Sequence, residues 1–570
     1  MKLTDIHSPS QLTNLFPDDL ILLAEELRQF IIDTILLNGG HFAANLGVVE
    51  LTIALLHQFD ATKHKYIWDV GHQSYPYKVL TQRKNQLHTI RNWKGISGFP
   101  KITESTFDHF GTGHSSTAIS AAMGMAAAAK IKGDDRTTHI AVVGDGALTG
   151  GMSFEALNNL FDSNLNVLIV LNDNQMGIDP NTGALNHHFT QNSPVKDWFE
   201  WFGLSYFGPV DGHDIHKLSH QLQHLSAIPG PKMLHVKTIK GKGYAEAEKE
   251  QTRWHSTNKF VKIQSNPKTE IKWQDVFGDI LLHLAETNPH IAGITPAMPS
   301  SCGMDKSMSK FPERFWDVGI SEQHALTFAA GLACNGIQPI VNIYSTFFQR
   351  AYDQYIHDIA LQNLPVILCL DRAGLVGEDG PTHHGAFDIS ALTAIPNTTI
   401  FAPQNAQELY HALFYGLVLK SPVVIRYPKG KISNPNWIAN TPNSLPEALI
   451  HISKTPASVV VLSTGALSAE LITAIHENQL NVDHIHCPVI KPIPQNINLN
   501  HYNQVVTVED GSIVGGFGQY LRMYTAQQNQ QWRHFGIPDI FVEHGNNKEL
   551  YQQCGYDTAS IIAYLTQITQ

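Results

Sequence analysis

The chain has 570 residues, of which 43% are hydrophobic and 16% are charged, so it is long enough to bury several cores. Its formal net charge of -11 argues against a general affinity for nucleic acid or for an anionic membrane surface, although a local basic pocket is compatible with it. These values predict a soluble globular protein of three or four domains with no nucleic-acid or membrane partner.

The first part of the chain predicts strands that alternate with helices. Pro17 and Asp18 open a helical pattern that stops at Gly39 and Gly40, as expected of a packed helix. After it, the β-rich runs HIAVV and NVLIVL are separated by helix-length segments that include SSTAISAAMGMAAAAK and SFEALNNLF. Continuous apolar strands that alternate with helices are typical of parallel βαβ units.

A polar, charge-rich span at about residues 245–272 interrupts this rhythm and is interpreted as a linker. A second α/β series follows, with the predicted strands IAGIT, FWDVG, PIVNIY, PVILCL and PVVIRY. Pro428 to Pro456 is rich in proline and asparagine and marks a boundary before SVVVLSTG, QVVTVED and a C-terminal helix. We therefore expect an α/β protein whose mostly parallel sheets are flanked by helices, in three domains at residues 1–265, 266–430 and 431–570.

Location and redox state follow from what the sequence lacks. The longest strongly apolar stretch, Ala121 to Ala129, is too short to cross a bilayer, and the N-terminus does not have the pattern of a signal peptide, so we expect a cytoplasmic protein. The cysteines form no CxxC pair and have no histidine at zinc spacing, which predicts reduced core residues. They are Cys302, Cys334, Cys369, Cys487 and Cys554.

Polar residues follow the predicted strands at the ends where parallel sheets bind ligands. A single Gly-Asp-Gly, as at Asp145, is most simply a tight connection between strand and helix. The pair Asp145 and Asn174 is more informative, because a right-handed crossover between two strands separated by one helix would bring both residues to one sheet edge. Carboxylate, amide and carbonyl oxygens suit Mg²⁺, which commonly bridges to phosphate oxygens.

Glycines surround this carboxylate in the stretch GDGALTGG. Gly144, Gly146, Gly150 and Gly151 would let the backbone approach a diphosphate closely, with amide groups at the helix start helping to bind it. The residues alone thus predict a metal held by Asp145 and a diphosphate held by the metal.

Gly144-Asp145-Gly146 followed by Asn172-Asp173-Asn174 resembles the diphosphate motif of thiamine diphosphate enzymes. WDVGHQSYPYK, FGTGHSSTAIS, ISEQHALTFAAGLA, YSTFFQRAYDQ and DRAGLVGEDGPTHHGAFD also occur in the order typical of the 1-deoxy-D-xylulose-5-phosphate synthase family. The similarity runs nearly from end to end. It implies three α/β domains, which are a diphosphate-binding domain, a pyrimidine-binding domain and a C-terminal transketolase-like domain, and it implies a homodimer.

The resemblance also implies a cofactor site for thiamine diphosphate and Mg²⁺. Asp145, Asn174 and the backbone carbonyl of Met176 match the family's metal ligands. Further positions match residues around the cofactor, and Lys240 would add positive charge near the diphosphate. The cofactor set is His72, Gly113, His114, Ser115, Gly146, Ala147, Asn174, Lys240, Tyr244 and Glu322.

By position alone, Glu322 would be a carboxylate in the first turn of a helix. The resemblance instead implies that it binds the aminopyrimidine and that the cofactor acts as its own base. The remaining catalytic candidates lie in matching motifs, although most of the 31 histidines are incidental. They are His41, His72, His255, Asp379 and His383.

The implied reaction joins pyruvate to glyceraldehyde 3-phosphate with loss of CO₂, giving 1-deoxy-D-xylulose 5-phosphate for isoprenoid precursors. The acceptor phosphate needs cations, and guanidinium groups at strand ends suit it, although a single arginine is usually a solvated surface residue. The candidate phosphate ligands are Tyr344, Arg350, Arg372 and Arg426.

Two alternatives stay open at this point. A transketolase would share the metal site, the GEDGPTH element and the three-domain plan, whereas YSTFFQRAYDQ and DVGHQSYPYK favour the synthase. A non-catalytic cofactor binder is a more remote alternative. The sequence also departs from the family after residue 189, where a longer, mobile segment is commonly found, and any gating role of that segment is therefore in doubt.

Overall fold

The computed structural model describes residues 2–161, 163–191, 193–257, 270–440 and 446–570. These residues form two compact units, one of Met1–Asn266 with Gly319–Ser321 and one of Pro267–Val318 with Glu322–Gln570. Within the predicted linker, residues 245–257 carry a short helix and a two-residue strand, and residues 258–269 lie outside the described residues. The division into three domains stays a prediction.

The first unit contains a five-stranded sheet of order β2-β3-β4-β6-β5, in which every neighbouring pair is parallel. β1 and β7 form a separate antiparallel pair. The strands are β1 (Gly40–His41), β2 (Lys65–Trp68), β3 (His139–Gly144), β4 (Val167–Asp173), β5 (Ser205–Asp211), β6 (Lys232–Lys237) and β7 (Ser256–Thr257).

Helices cover this sheet, and the first of them begins and ends as predicted, with Pro17 in its first turn and Gly39 at φ 77° after its last residue. The helices are α1 (Pro17–Asn38), α2 (Ala43–Leu46), α3 (Val49–Gln58), α4 (Tyr75–Lys78), α5 (Ala118–Ile131), α6 (Asp145–Leu148), α7 (Gly151–Leu160), α8 (Gly183–Thr190), α9 (Lys196–Glu200), α10 (Ile215–Ser226) and α11 (Ala245–Lys249). Shorter helical turns lie at Leu3–Asp5, Pro9–Asn14, Val79–Arg83 and Lys84–Thr89.

The apolar runs of the sequence arise because the sheet is buried on both faces. Along β3, Ile140 and Val142 pack into one apolar layer, whereas Ala141 and Val143 pack into the layer on the opposite face. Successive side chains of a strand point to opposite faces, so a strand between two layers must be apolar at every position.

The second unit contains a seven-stranded sheet of order β17-β12-β13-β11-β10-β8-β9 and a five-stranded sheet of order β14-β16-β15-β18-β19. Both sheets are parallel except at one edge each, where β17 and β14 pair antiparallel with their neighbours. The strands are β8 (Ile291–Thr295), β9 (Phe315–Asp317), β10 (Gln338–Tyr344), β11 (Ile367–Ala373), β12 (Thr399–Phe401), β13 (Val423–Pro428), β14 (Leu449–His451), β15 (Val459–Ser463), β16 (Asp483–His486), β17 (Val489–Lys491), β18 (Gln504–Ser512) and β19 (Gln531–Ile537).

The helices of the second unit pack on these two sheets. They are α12 (Trp273–Thr287), α13 (Asp305–Lys310), α14 (Glu322–Cys334), α15 (Ser345–Phe348), α16 (Tyr352–Gln354), α17 (Asp388–Thr393), α18 (Ala406–Val418), α19 (Leu467–Glu477), α20 (Phe517–Thr525), α21 (Asn547–Cys554) and α22 (Thr558–Thr569). Shorter helical turns lie at Gln349–Ala351, Tyr355–Ala360 and Gly380–Thr382.

The predicted fold class is confirmed, because parallel strands flanked by helices form most of both units. The prediction for the cysteines is wrong in part. Cys302, Cys369 and Cys487 are buried, but Cys334 is exposed on α14 and Cys554 is half-buried. Of the helices that the structure describes, none combines the length and the apolar character needed to span a bilayer.

Candidate active site

The ends of β3 and β4 bring Asp145 and Asn174 together. The two strands are parallel neighbours, with Gly144 opposite Asn172. The Asp145 carboxylate accepts hydrogen bonds from the backbone N–H of Gly146 at 2.9 Å and of Gln175 at 2.5 Å. Because Gln175 directly follows Asn174, the two loop tips meet at this carboxylate, as the crossover argument predicted.

The surroundings of Asp145 favour a bound cation. Burial and the nearby Asp173 raise the pKa of Asp145 to about 7, since both disfavour a negative charge there. The amide oxygen of Asn174 accepts from the N–H of Met176 at 3.0 Å. Within the described parts of the chain, no three His, Cys, Asp or Glu side chains converge on a metal position, so a cation here would depend on amide and carbonyl oxygens.

Lys240 brings a positive charge to the same loop. Its Nζ donates to the carbonyl oxygen of Gly177 at 2.6 Å, and Asp145 and Asp179 act on it electrostatically. Burial lowers the pKa of Lys240 to about 8 because the charged form loses its hydration. The lysine therefore still carries most of its charge near neutral pH.

The glycines of the GDGALTGG stretch have different surroundings. A Cβ at Gly146 would lie 2.8 Å from Oδ1 of Asn181, and one at Gly150 would lie 2.1 Å from Oγ of Ser116, whereas one at Gly144 would meet nothing within 4 Å. Gly146 and Gly150 therefore allow the loop to pack against side chains of the same unit.

The loop with Gly113, His114 and Ser115 is fixed by a carboxylate that the sequence analysis missed. Asp69 is buried, and its two oxygens accept from the N–H groups of Ser116 at 2.7 Å and Ala118 at 3.0 Å. Asp69 directly follows β2, so the rule that identified Asp145 at a strand end would also have found it.

A second group that the sequence analysis missed begins at Asp173, next to Asn174 in the chain. Asp173, His235 and Tyr206 are buried and form a hydrogen-bonded chain, with 3.0 Å from Asp173 Oδ2 to His235 Nε2 and 2.7 Å from His235 Nδ1 to the Tyr206 hydroxyl. Burial and Asp173 raise the pKa of Tyr206 to about 12, so its hydroxyl stays protonated and can donate. β5 and β6 contribute Tyr206 and His235, and no local pattern in the sequence marks these residues.

The three predicted histidines of the first unit lie side by side. The ring centroids of His41 and His72 are 5.7 Å apart, those of His41 and His255 5.8 Å, and those of His72 and His255 5.2 Å. Burial and Lys240 lower the pKa of His72 to about 3, which makes this imidazole neutral at physiological pH. Within the described residues, its Nδ1 is buried without a hydrogen-bond partner. Tyr244, eleven residues before His255, packs edge-on against Phe42, with 5.2 Å between the ring centroids.

In the second unit, Glu322 is the first residue of α14 and only 5% of its surface is exposed. Burial raises the pKa of its carboxyl group, and the charge of Arg350 acts in the opposite direction. Among the described residues, its Oε2 atom has no hydrogen-bond partner. An unpaired buried carboxyl oxygen is costly and fits a residue that binds a donor on a ligand.

Arg372 lies over the ring of Tyr344, with 3.9 Å between the guanidinium carbon and the ring centroid. Tyr344 stacks on Phe347 at 5.7 Å, and Phe347 contacts the ring of His383 at 5.5 Å. The predicted residues Tyr344, Arg372 and His383 are therefore linked by ring contacts.

Arg426 has a different environment. It is buried, its Nε donates to Asp388 at 3.0 Å, and its Nη2 donates to the carbonyl oxygen of Asp510 at 2.7 Å. This pairing argues against the phosphate-binding role expected for Arg426.

Lys429, which the sequence analysis did not select, lies 3.6 Å from the carboxylate of Asp379 and donates to the carbonyl oxygen of Val376 at 3.1 Å. It follows β13 directly in the stretch IRYPKG, and this position at a strand end is the signal that could have identified it.

Family models match three consecutive parts of the chain. The model described as 1-deoxy-D-xylulose-5-phosphate synthase matches residues 3–196 and 190–238, in two pieces that overlap at residues 190–196. The transketolase pyrimidine-binding domain matches residues 269–434, and the transketolase C-terminal domain matches residues 450–561.

Curated relatives match almost the whole chain, and each of the following is named 1-deoxy-D-xylulose-5-phosphate synthase. The protein of Cytophaga hutchinsonii is 46% identical over 98% of this chain and 97% of its own length. Those of Parabacteroides distasonis and Chlorobaculum tepidum are 42% and 43% identical, covering 99% and 98% of this chain and 98% and 97% of their own lengths. The similarity to these relatives covers nearly the whole chain, and the GDG and NDN loops meet as described. The chain therefore belongs to the 1-deoxy-D-xylulose-5-phosphate synthase family.

Proposed function

We propose that this protein condenses pyruvate with D-glyceraldehyde 3-phosphate, releasing CO₂ and giving 1-deoxy-D-xylulose 5-phosphate. The observation that carries the proposal is the near-complete alignment with relatives named for this product. The meeting of the loops at Asp145 and Asn174 adds a site suited to a metal-bound diphosphate.

The residues of the first unit fit thiamine diphosphate and Mg²⁺. Asp145, Asn174 and the carbonyl of Met176 would hold the cation, and Lys240 would add positive charge near the diphosphate. Further cofactor contacts would come from the remaining matched positions, which are His72, Gly113, His114, Ser115, Gly146, Ala147 and Tyr244. When bound, thiamine diphosphate supplies the electron sink that makes decarboxylation of pyruvate possible.

Glu322 would bind the aminopyrimidine through the carboxyl group that burial keeps at a raised pKa. Its unpartnered Oε2, noted above for the described residues, supports this role, since a ligand donor would satisfy it. The matched test is Glu322→Gln beside Glu322→Ala, with cofactor binding and turnover measured separately. We expect both variants to fold and to lose turnover, and near-normal turnover in either would contradict the role.

Arg372 would bind the phosphate of the acceptor, with the Tyr344 ring supporting its guanidinium group. Arg350 stays in the proposed set, and Arg426 is left out because its Nε and Nη2 already bind Asp388 and the carbonyl oxygen of Asp510. We expect Arg372→Ala to raise the KM for glyceraldehyde 3-phosphate far more than the KM for pyruvate.

Proton transfer would fall to the histidines. His72 stays neutral at physiological pH because its pKa is lowered to about 3, so it would act mainly as a hydrogen-bonding group, and His41 and His255 lie beside it. Asp379 and His383 would serve the same chemistry from the GEDGPTH element. At least one of these residues would only position its neighbours.

One assay separates this proposal from a transketolase. Purified protein receives pyruvate, glyceraldehyde 3-phosphate, thiamine diphosphate and Mg²⁺, and CO₂ release is measured beside a control without the aldehyde. Aldehyde-dependent release of CO₂ is the expected result. Absence of release, with activity on xylulose 5-phosphate and ribose 5-phosphate, would identify a transketolase. The homodimer and the cytoplasmic location stay predictions.

A further inference from the structure

Strand β11 is irregular at Asp371 and Arg372. Its pairing with β13 places Leu370 opposite Arg426 and resumes with Ala373 opposite Pro428. Two residues of β11 therefore stand against one residue of β13, which is the definition of a β-bulge, a feature that re-aims side chains near active sites. Arg372 has φ 58°, in the left-handed region that residues with long side chains rarely occupy.

The structure holds this bulge from two sides. Asp371 is fully buried, and its Oδ1 accepts the N–H of Arg372 at 2.7 Å. On the other side, Gly374 and Gly385 exchange backbone hydrogen bonds of 2.9 and 2.8 Å. A Cβ at Gly385 would lie only 2.7 Å from the carbonyl oxygen of Arg372 and 2.6 Å from Oγ of Ser345, so glycine permits the contact.

The bulge sets the position of the Arg372 guanidinium group. Tyr344 on β10 is the register partner of Asp371, and the guanidinium carbon of Arg372 lies 3.9 Å from the centroid of that tyrosine ring. Nε of Arg372 is buried and, in the described portion of the chain, has no hydrogen-bond partner. A buried guanidinium donor that lacks a partner fits a residue waiting for an anionic acceptor.

We infer that Asp371 is a positioning residue for phosphate recognition. By accepting the N–H of Arg372 it stabilises the left-handed bulge and thereby keeps the guanidinium group over Tyr344, directed at the acceptor phosphate. Asp371 acts through Arg372 and does not touch the substrate. The inference rests on the proposed function, in which Arg372 binds that phosphate.

The test compares Asp371→Ala, Asp371→Asn, Arg372→Ala and the double variant Asp371→Ala/Arg372→Ala in the complete enzyme. Each is assayed with glyceraldehyde 3-phosphate and with unphosphorylated D-glyceraldehyde as acceptor, at saturating pyruvate. We expect Asp371→Ala to raise the KM for the phosphorylated acceptor about tenfold and to change kcat/KM for D-glyceraldehyde less than about twofold. Asp371→Asn retains an acceptor oxygen and should restore most of the affinity. The double variant should match Arg372→Ala alone, because the two residues act as one unit.

A second variant reaches the same bulge without changing Asp371. Gly385→Ala introduces the Cβ that would press on the Arg372 carbonyl, and it should shift the KM for the phosphorylated acceptor in the same direction. If Asp371→Ala does not fold, Gly385→Ala still tests whether the bulge positions Arg372 for the phosphorylated acceptor.

The possible results distinguish a failure of the positioning role of Asp371 from a failure of the proposed function. Equal losses with both acceptors in the Asp371→Ala and Gly385→Ala variants, or additive effects in the double variant, would overturn the positioning role while leaving the proposed function intact. An unchanged KM for the phosphorylated acceptor in an active Arg372→Ala enzyme would refute the role of Arg372, and the positioning role with it. If the unaltered protein releases no CO₂, the proposed function fails.

Discussion

Replacing Gly150 by alanine should disturb the contact between two loops that carry five of the ten proposed cofactor-binding residues. The new Cβ would lie 2.1 Å from Oγ and 3.0 Å from Cβ of Ser116, which is fully buried. Gly150 has φ -70° and ψ 145°, which alanine adopts easily, so the strain comes from lack of space alone.

The cost can be worked out from the contacts of Ser116. Overfilling a packed site costs about 1–3 kcal/mol. If the Ser116 hydroxyl turns away, its hydrogen bond to the carbonyl oxygen of Ala147, 2.8 Å long, is lost as well, at about 1 kcal/mol. The carbonyl itself stays satisfied, because Ser153 Oγ also donates to it at 2.9 Å. For the unit of Met1–Asn266, the expected total of about 2–4 kcal/mol should lower the apparent Tm by about 4–7 °C.

The assay is thermal unfolding by circular dichroism, with two matched variants. Gly144→Ala is the control, since its Cβ would meet nothing within 4 Å, and its Tm should not change. Ser116→Gly in the Gly150→Ala background removes the clashing atoms, and glycine suits the φ of 70° at position 116, so the double variant should recover most of the lost Tm. A Gly150→Ala protein that melts like the original, or a double variant no better than Gly150→Ala, would refute this reasoning.

Three further substitutions test other buried groups. Burial raises the pKa of Glu509 from 4.5 to about 7, so the folded state binds an extra proton between these pH values and loses about 3 kcal/mol of stability as pH rises through them. Glu509→Gln should remove this loss, which denaturant unfolding at pH 5 and pH 8 would measure. An equal change of stability in both proteins would contradict the prediction. Tyr206→Phe leaves Nδ1 of His235 without its donor and should cost about 1–3 kcal/mol, with an unchanged Tm as the contrary result. Asp108→Ala removes the carboxylate that binds the buried guanidinium of Arg83 at 2.6 and 2.9 Å and leaves Arg83 and the buried Lys78 to share Glu104, so it should cost about 3–5 kcal/mol. The exposed ion pair of Asp279 with Lys306 is the control, because Asp279→Ala should cost less than about 1 kcal/mol, and equal costs would contradict the argument.

Much of the fold was predictable because its signals are local. Apolar runs such as HIAVV and NVLIVL became β3 and β4 within a sheet buried on both faces. The right-handed crossover rule then placed Asp145 and Asn174 at one edge without any knowledge of side-chain contacts. A predictable backbone topology was sufficient for this part of the candidate site.

Other parts of the site depend on partners that are distant in the sequence. The chain Asp173–His235–Tyr206 joins three strands, and no local signature marks it. Asp69 had a strand-end signal, but the loop that it fixes begins more than forty residues later, so this contact had no local signature. Lys429 also had a strand-end signal, but its contact with Asp379 could not be predicted from the local sequence.

Arg372 and Arg426 show where the sequence stops being sufficient. Both follow an apolar strand, and the sequence by itself determined that each would lie near the carboxyl end of a parallel strand. Only the tertiary structure decided that a bulge directs Arg372 onto Tyr344, while Asp388 and Asp510 engage the donors of Arg426. The physical reason is that strand position follows from the local apolar pattern, whereas the direction and charge pairing of a side chain depend on residues brought together by folding.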